Sequence, residues 1–205
     1  MCTGDHEKRR GILRNLSPLV LASKSPRRRE LLARLGIEFE VLPSEAQEPS
    51  PAGESPPNYV SNLAQAKAEE VFSKVRKPTL AADTVVVCEG EILGKPKDFD
   101  DALRMLRLLS ARFHRVLTAY VILTEGERRA GVVETKVCFK PLAEEEIKAY
   151  LATDEPWDKA GAYAIQGIAS YMVERVEGSV TNVIGLPLTE VVADLLALKI
   201  VTWRK

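Results

Sequence analysis

The feature that most constrains this chain is an apolar segment at residues 79–88 that contains a single carboxylate, Asp83. Its length and its β-branched residues are typical of a strand in the middle of a sheet. A carboxylate inside such a strand is unfavourable unless it is paired, hydrogen-bonded or bound to a metal. Asp83 therefore indicates either a turn cap at the end of the strand or a reactive site, where a carboxylate can bind Mg²⁺ or accept a proton from water.

Segments with the patterns of strands and helices alternate along the rest of the chain. Short polar links follow some of the strands, so we expect antiparallel neighbours at those points. The sequence therefore predicts an α/β fold with a mixed, twisted central sheet flanked by helices. Strands are predicted at residues 18–22, 39–42, 79–88, 116–124, 132–139 and 171–176, and helices at residues 26–35, 56–73, 98–109, 144–151 and 188–198.

The two ends of the chain differ in pattern. Residues 1–17 are polar and lack a clear periodicity, so we expect a flexible extension there and a single domain over residues 18–205. The first residues are too charged for the apolar region of a signal peptide. No run reaches the roughly 18 apolar residues of a membrane span, so no membrane partner is expected.

Composition limits the partners and the compartment. The chain has 29 basic residues (lysine and arginine) and 29 acidic residues (aspartate and glutamate). This balance of charge argues against a nucleic-acid partner. The three cysteines, Cys2, Cys88 and Cys138, are too scattered for a disulfide framework or a zinc pattern. Their sparse use favours the reducing cytoplasm.

A candidate anion site precedes the first predicted helix. Ser25 suits the N-cap and Pro26 the first helical position, and three arginines follow at residues 27–29. Cations are unfavourable at a helix N-terminus, so removing Arg27 or Arg28 is expected to raise the melting temperature of the free protein. A bound polyphosphate would reverse that penalty. Arginines that point into solvent are the alternative, and the local pattern leaves both open.

Two lysines and one loop are further candidates. Lys67 falls on the apolar face of the predicted helix at residues 56–73, either as a side chain that extends to the edge of that face or as a phosphate ligand. Lys95 lies in a proline-containing turn, where it is either solvated or held near the Asp83 strand. Residues 154–167 interleave small and polar side chains, which is typical of backbone close to a ligand or of an ordinary tight loop. Gln166 in this loop carries an amide donor and acceptor that match a pyrimidine edge.

Four segments taken together resemble the Maf proteins, which are nucleotide pyrophosphatases related in fold to the inosine triphosphate pyrophosphatases. The resemblance extends over roughly residues 18–198 and implies a two-lobed fold with a central cleft. It also implies hydrolysis of nucleoside triphosphates to the monophosphate and pyrophosphate, a house-cleaning reaction on the nucleotide pool. The last segment is similar to the branch that prefers dTTP and UTP. The segments are residues 21–32, 63–68, 82–96 and 158–167.

The resemblance assigns roles to individual residues. Asp83 matches the general base, and together with Glu48 it is expected to bind a divalent cation, Mg²⁺ or Mn²⁺. The loop at residues 44–48 departs from the family's usual valine-aspartate-glutamate run, so Glu45 is an alternative to Glu48 as the metal ligand. The residues expected to bind substrate are Ser23, Arg27, Arg28, Lys67, Thr84, Lys95, Lys159 and Gln166.

A second function remains open at this point, because Maf proteins are associated with inhibition of septum formation. The chain is then a nucleotide-sensing binding module that acts on cell-division proteins, and a homodimer is a further candidate assembly. Release of pyrophosphate from dTTP distinguishes the enzyme from the sensor.

Overall fold

The computed structural model describes residues 11–51 and 53–205. Within these residues the chain forms a seven-stranded mixed sheet, a separate two-stranded pair and six α-helices, which confirms the predicted α/β class. The strands are β1 (Leu13–Asn15), β2 (Val20–Leu21), β3 (Glu40–Val41), β4 (Thr79–Cys88), β5 (Glu91–Leu93), β6 (Phe113–Leu123), β7 (Arg128–Phe139), β8 (Val173–Glu177) and β9 (Val201–Trp203). The helices are α1 (Pro26–Arg34), α2 (Pro56–Val75), α3 (Phe99–Leu109), α4 (Glu144–Leu151), α5 (Val180–Ile184) and α6 (Leu188–Ala197), with short 3₁₀ helices at Pro156–Asp158, Ala160–Ala162 and Ile168–Met172.

The central sheet is organised around β4, which spans the residues predicted for it. The main strand order is β3-β2-β4-β6-β7-β8, and β5 also pairs with β4. β2 runs parallel to both β3 and β4, whereas the β4–β6, β6–β7 and β7–β8 pairs are antiparallel. The predicted mixed sheet is therefore confirmed. No helix in the described part of the chain is long and apolar enough to cross a membrane.

One face of the sheet is covered by α2. The helix buries Val60, Ala64 and Val71 against the face of β4 that carries Ala81 and Val85. Alanines at this contact let the helix approach the strand closely. The contact removes apolar surface from water, which stabilises the fold by roughly 25 cal/mol per Å² buried. This packing places the middle of α2 directly over the middle of β4.

The opposite face of β4 contacts two separate apolar clusters. The first joins α1 and α6 to the start of the strand, where Leu80 and Ala82 are buried. The second joins α3 and α4 to the end of the strand, where Val86 and Cys88 are buried. Thr84 lies between the two clusters, so the sheet passes from one lobe to the other at this residue.

The beginning of the fold differs from the prediction. Residues 11–17 were expected to be part of a flexible extension, but β1 pairs antiparallel with β9, with Leu13 opposite Trp203. Leu13 is fully buried in the cluster formed with α1 and α6. A three-residue strand is too short to show a recognisable periodicity. Its burial also depends on a partner strand almost 190 residues away in the chain, which no local pattern indicates. The rest of the predicted extension, residues 1–10, lies outside the described residues.

A gap in the strand pairing opens β4 to a cleft. Along one edge, β2 pairs with Thr79 and Leu80, and β5 pairs with residues 86–88. Between these two partners, no described strand covers residues 82–85 on that edge. The chain leaves β2 at this level and turns into α1, so the N-terminus of α1 faces the uncovered part of β4.

Candidate active site

The uncovered edge of β4 forms one wall of a cleft of about 640 Å³. The other walls come from the N-terminus of α1, the loop at residues 44–51, the middle of α2 and the segment at residues 158–166. Every residue predicted to act in catalysis, metal binding or substrate binding lines this cleft: Ser23, Arg27, Arg28, Glu48, Lys67, Asp83, Thr84, Lys95, Lys159 and Gln166.

Asp83 and Glu48 share one cationic partner, Lys67. Asp83 lies on the face of β4 that meets α2, and the Lys67 ammonium donates a hydrogen bond to its carboxylate. The same ammonium donates to Glu48 Oε1 at 2.6 Å. The Lys67 and Asp83 side chains are only 15% and 13% exposed, so this lysine on an apolar helix face is a buried ion-pair partner rather than a solvated side chain.

The geometry distinguishes Glu48 from the alternative Glu45. The Glu48 carboxylate contacts Lys67, whereas Glu45 is held through its backbone N–H, which donates to Glu70 Oε2 at 2.9 Å. Partial burial raises the pKa of Glu48, but the hydrogen bond from Lys67 and the nearby cations outweigh this effect and lower the pKa overall. Glu48 is therefore the loop carboxylate that lies beside Asp83.

Arg28 lies on the other side of the cleft floor. Its guanidinium donates to the Gly185 carbonyl at 2.7 Å, to Ser23 Oγ at 3.1 Å and to Thr84 Oγ1 at 3.2 Å. Burial lowers the pKa of Arg28, and the charge of Asp83 opposes that effect. Arg28 thus donates to three protein groups, and these contacts favour a loss of stability on its removal instead of the rise in melting temperature expected from the sequence.

A chain of neutral hydrogen bonds continues behind Thr84. Thr84 Oγ1 lies 2.9 Å from Thr118 Oγ1, and Thr118 donates to the Asn182 carbonyl at 2.9 Å. The Asn182 side-chain amide donates to the Val116 carbonyl and to Thr135 Oγ1, both at 3.0 Å. Thr118 and Asn182 are fully buried, so this network fixes Thr84 and Arg28 to β6 and α5.

Three further cations point to an anionic ligand. Arg27 at the start of α1, Lys95 after β5 and Lys159 all line the cleft. Burial lowers the pKa of Lys159, and the charge of Arg27 lowers it further. Burial also lowers the pKa of Arg27. Ser25 caps α1 as predicted, since its side chain accepts from the Arg28 N–H, and cations crowded at a helix N-terminus favour a bound polyanion.

The two glycines of the segment at residues 158–167 contact protein rather than an open ligand space. Gly161 has φ of 70°, and a side chain there would lie 3.1 Å from Val86. A side chain at Gly167 would lie 1.9 Å from the Glu155 carboxylate. Both glycines therefore pack against protein groups, which fits the tight-loop alternative for this segment. Gln166 between them is exposed and lines the cleft.

The sequence patterns missed several residues that shape the site. Tyr59 of α2 lines the cleft and donates to the Pro49 carbonyl at 2.8 Å. His114 of β6 lies 2.8 Å from the Tyr163 hydroxyl and holds the segment that carries Lys159 and Gln166. Burial lowers the pKa of His114 to about 4. An isolated histidine or tyrosine carries no spacing signal, so only the packing reveals these contacts.

The sequence profile of the Maf-like proteins matches residues 18–198. The chain belongs to the Maf family. It is 54% identical over 182 residues to the dTTP/UTP pyrophosphatase of Geobacter sulfurreducens, which covers 86% of this chain and 94% of that protein. It is also 54% identical over 184 residues to the dTTP/UTP pyrophosphatase of Geotalea uraniireducens, covering 87% and 94%.

Among solved structures, one match is that of the Staphylococcus aureus Ham1 protein. The match has a TM-score of 0.45 and 12% identity, and it covers 88% of this chain and 97% of that chain.

Proposed function

We propose that this Maf protein hydrolyses nucleoside triphosphates to the monophosphate and pyrophosphate, with dTTP and UTP as its preferred substrates. The observation that carries the proposal is the Lys67 ammonium held between Asp83 and Glu48 in a cleft that also gathers Arg27, Lys95 and Lys159. A carboxylate wall opposite several cations suits a polyphosphate and a water molecule side by side. The two relatives named dTTP/UTP pyrophosphatases support the choice of substrate.

Asp83 is the general base in this proposal. A water oxygen attacks the α-phosphorus, the bond from that phosphorus to the bridging oxygen breaks, and pyrophosphate leaves with the electron pair. Asp83 orients the water and takes its proton. Arg27, Lys95 and Lys159 stabilise the charge that grows on the departing pyrophosphate, because fixed cations in a partly water-excluded cleft interact strongly with developing anions.

Glu48 and Asp83 fit a divalent cation. Both carboxylates contact one cationic group, the Lys67 ammonium, and oxygen ligands are those that Mg²⁺ and Mn²⁺ prefer. Mg²⁺ is commonly bound by one or two carboxylates together with substrate phosphates. When bound, the cation would neutralise charge on the triphosphate. Lys67 would then re-pair with a phosphate oxygen.

Gln166 is the proposed reader of the base. Uracil and thymine present an O4 acceptor and an N3–H donor, and one primary amide matches both. The Gln166 side chain is exposed and lines the cleft, so its amide is available to a ligand. Discrimination against cytosine then requires that the protein hold this amide in one orientation.

The proposed compartment is the cytoplasm, and residues 11–205 are proposed to act as one nucleotide-pyrophosphatase domain. The free thiols of Cys88 and Cys138 support a reducing compartment. Cys88 is buried, and burial raises the pKa of its thiol, which keeps it unreactive.

The test is a panel of nucleoside triphosphates incubated with the full chain and Mg²⁺ or Mn²⁺, with products separated by chromatography. We expect the monophosphate and pyrophosphate in equal amounts, with dTTP and UTP hydrolysed fastest. Release of inorganic phosphate and a diphosphate would contradict attack at the α-phosphorus. Tight dTTP binding without any hydrolysis would instead indicate a nucleotide sensor.

A further inference from the structure

We propose that Glu155 is a positioning residue that fixes the backbone beside Gln166 and thereby strengthens the preference for uracil and thymine over cytosine. The inference rests on the proposed function, because it assigns the origin of base discrimination in the same cleft. Glu155 itself does not line the main cleft and is not expected to touch the substrate.

The Glu155 carboxylate clamps the backbone directly after Gln166. Its Oε2 accepts the Ile168 N–H at 2.8 Å, and its Oε1 accepts the Ala169 N–H at 3.0 Å. Oε1 also accepts the Tyr150 hydroxyl at 3.0 Å, which ties the carboxylate to α4. These contacts join the first turn of the 3₁₀ helix Ile168–Met172 to a buried side chain of the lobe that α4 belongs to.

Gly167 is explained by this clamp. Its φ is −122°, an extended conformation that any residue adopts, so the backbone alone does not require glycine. A Cβ at Gly167 would lie 1.9 Å from Oε2 and 2.3 Å from the carboxyl carbon of Glu155. Glycine is therefore needed to make room for the carboxylate, and the residue next to Gln166 is packed against Glu155.

The negative charge of Glu155 also acts on the substrate side of the loop. It raises the pKa of Arg27 and of Lys159, in both cases against the larger effect of burial. Glu155, Arg27, Lys159, Gln166 and Gly167 all line a side pocket of about 300 Å³ that adjoins the main cleft. Glu155 thus lies behind Gln166 and beside two of the cations proposed to bind phosphate.

The consequence concerns selectivity more than rate. A primary amide can reverse by rotation and meet the cytosine edge, and the clamp limits this by fixing the backbone position from which the Gln166 side chain reaches the base. A site that fixes its polar groups discriminates more strongly than one in which they adapt. Loosening residues 167–169 should therefore lower the ratio of kcat/KM for UTP to kcat/KM for CTP.

The experiment compares the Glu155→Gln and Glu146→Gln variants of the full chain. Glu146 is a matched control, since its carboxylate also accepts a backbone N–H, from Ala143 at 3.1 Å, but lies away from the cleft in α4. We expect the UTP to CTP ratio to fall about tenfold in Glu155→Gln, the size of one lost specific contact, and to stay within twofold in Glu146→Gln. Amide hydrogen exchange at Ile168 and Ala169 should accelerate about tenfold in Glu155→Gln alone.

A double-variant cycle tests the route through Gln166. Once Gln166→Ala has removed the amide, adding Glu155→Gln should leave the UTP to CTP ratio unchanged. If Glu155→Gln does not fold, Gly167→Ala takes its place, because the added methyl displaces the carboxylate.

Three results would decide against the inference or against the function it rests on. An unchanged ratio in a Glu155→Gln variant that hydrolyses UTP would overturn the positioning role. Unchanged exchange at Ile168 and Ala169 would show that the clamp is absent in solution. A wild-type chain that hydrolyses neither UTP nor CTP would contradict the proposed function, and hydrogen exchange would still test the clamp.

Discussion

The two faces of β4 bury polar groups beside the same cleft in different ways. On the α2 face, the carboxylates of Asp83 and Glu48 both contact the ammonium of Lys67. On the other face, Arg28 donates to three protein groups, and Thr84 is linked through Thr118 to Asn182. Adjacent residues of one strand thus lead to an ion pair on one side and to a hydrogen-bond network on the other.

This difference distinguishes the face of β4 where reaction is expected from the face that maintains the structure of the cleft. An ion pair at the edge of a cleft can exchange partners, since a divalent cation or a phosphate replaces the lost Coulomb interaction. The buried hydrogen-bond network behind Thr84 cannot, because each broken hydrogen bond leaves an unsatisfied atom in the interior. The Asp83 face is therefore where reaction is expected, and the Thr84 face is where the cleft is held in shape.

The largest expected effect is on the Asp83 face. Asp83→Asn keeps the shape of the side chain but removes the base, so turnover of dTTP should fall by about 10²- to 10⁴-fold. The melting temperature should change little, because Lys67 keeps Glu48 as a partner. Steady-state kinetics and thermal melts would check both, with Asp194→Asn, which removes a carboxylate bonded to Tyr120, as the control with normal turnover. Turnover within a few-fold of wild type would remove Asp83 from the mechanism.

The second effect is a pH dependence on the Thr84 face, where His114 is buried. Burial lowers the pKa of His114 to about 4, below the ordinary value of 6.5. Between these values the unfolded chain binds a proton that the folded chain does not, so stability should fall as pH drops from 6.5 to 4. The loss should reach roughly 3 kcal/mol at the bottom of this window.

Urea unfolding of wild type and His114→Gln at pH 7 and pH 4.5 would measure this loss. The variant should show a weaker pH dependence, because it lacks the titrating ring. Equal pH dependence in the two proteins would place the acid sensitivity on other groups.

The third effect tests whether Arg28 is structural. Arg28→Ala should lower the free energy of unfolding by about 2 kcal/mol, since it strips donors from Ser23, Thr84 and the Gly185 carbonyl. Arg29→Ala is the matched control on the same helix turn, and because Arg29 is exposed its removal should change stability by less than about 0.5 kcal/mol. Denaturant titration measures the free energy of unfolding of both variants. Equal values for Arg28→Ala and Arg29→Ala would mean that the three Arg28 contacts do not contribute to stability.

The smallest effect is expected at Thr118. Thr118→Val removes the hydroxyl that joins Thr84 to the Asn182 carbonyl while keeping the shape of the side chain. Stability should fall by about 1 kcal/mol, with only a few-fold loss in kcat/KM. Thr202→Val on the partly exposed β9 strand is a suitable comparison. A Thr118 variant as stable as wild type would show that Thr84 is held by Arg28 alone.

The sequence determined the elements whose signals are local. The ten-residue strand β4 and the Ser25 cap of α1 appear where the patterns placed them. Phe99, the first residue of α3, is 42% exposed, although the rest of the helix buries an apolar face. Helical periodicity constrains it weakly at the first position of α3, where few turns of the helix fix the direction of the side chain.

Motif residues were identified from sequence because each combines an unusual residue type with an unfavourable setting, as Asp83 does in an apolar strand and Lys67 on an apolar helix face. Their partners were not. That Lys67 joins Asp83 to Glu48 rather than to Glu45, that Arg28 is bound inside the protein, and that Gly167 makes room for Glu155 all depend on elements distant in the chain. The local sequence pattern shows which residues are unusual for their element. Ion pairing and burial depend on contacts between distant parts of the chain, so only the tertiary structure decided which charged groups pair.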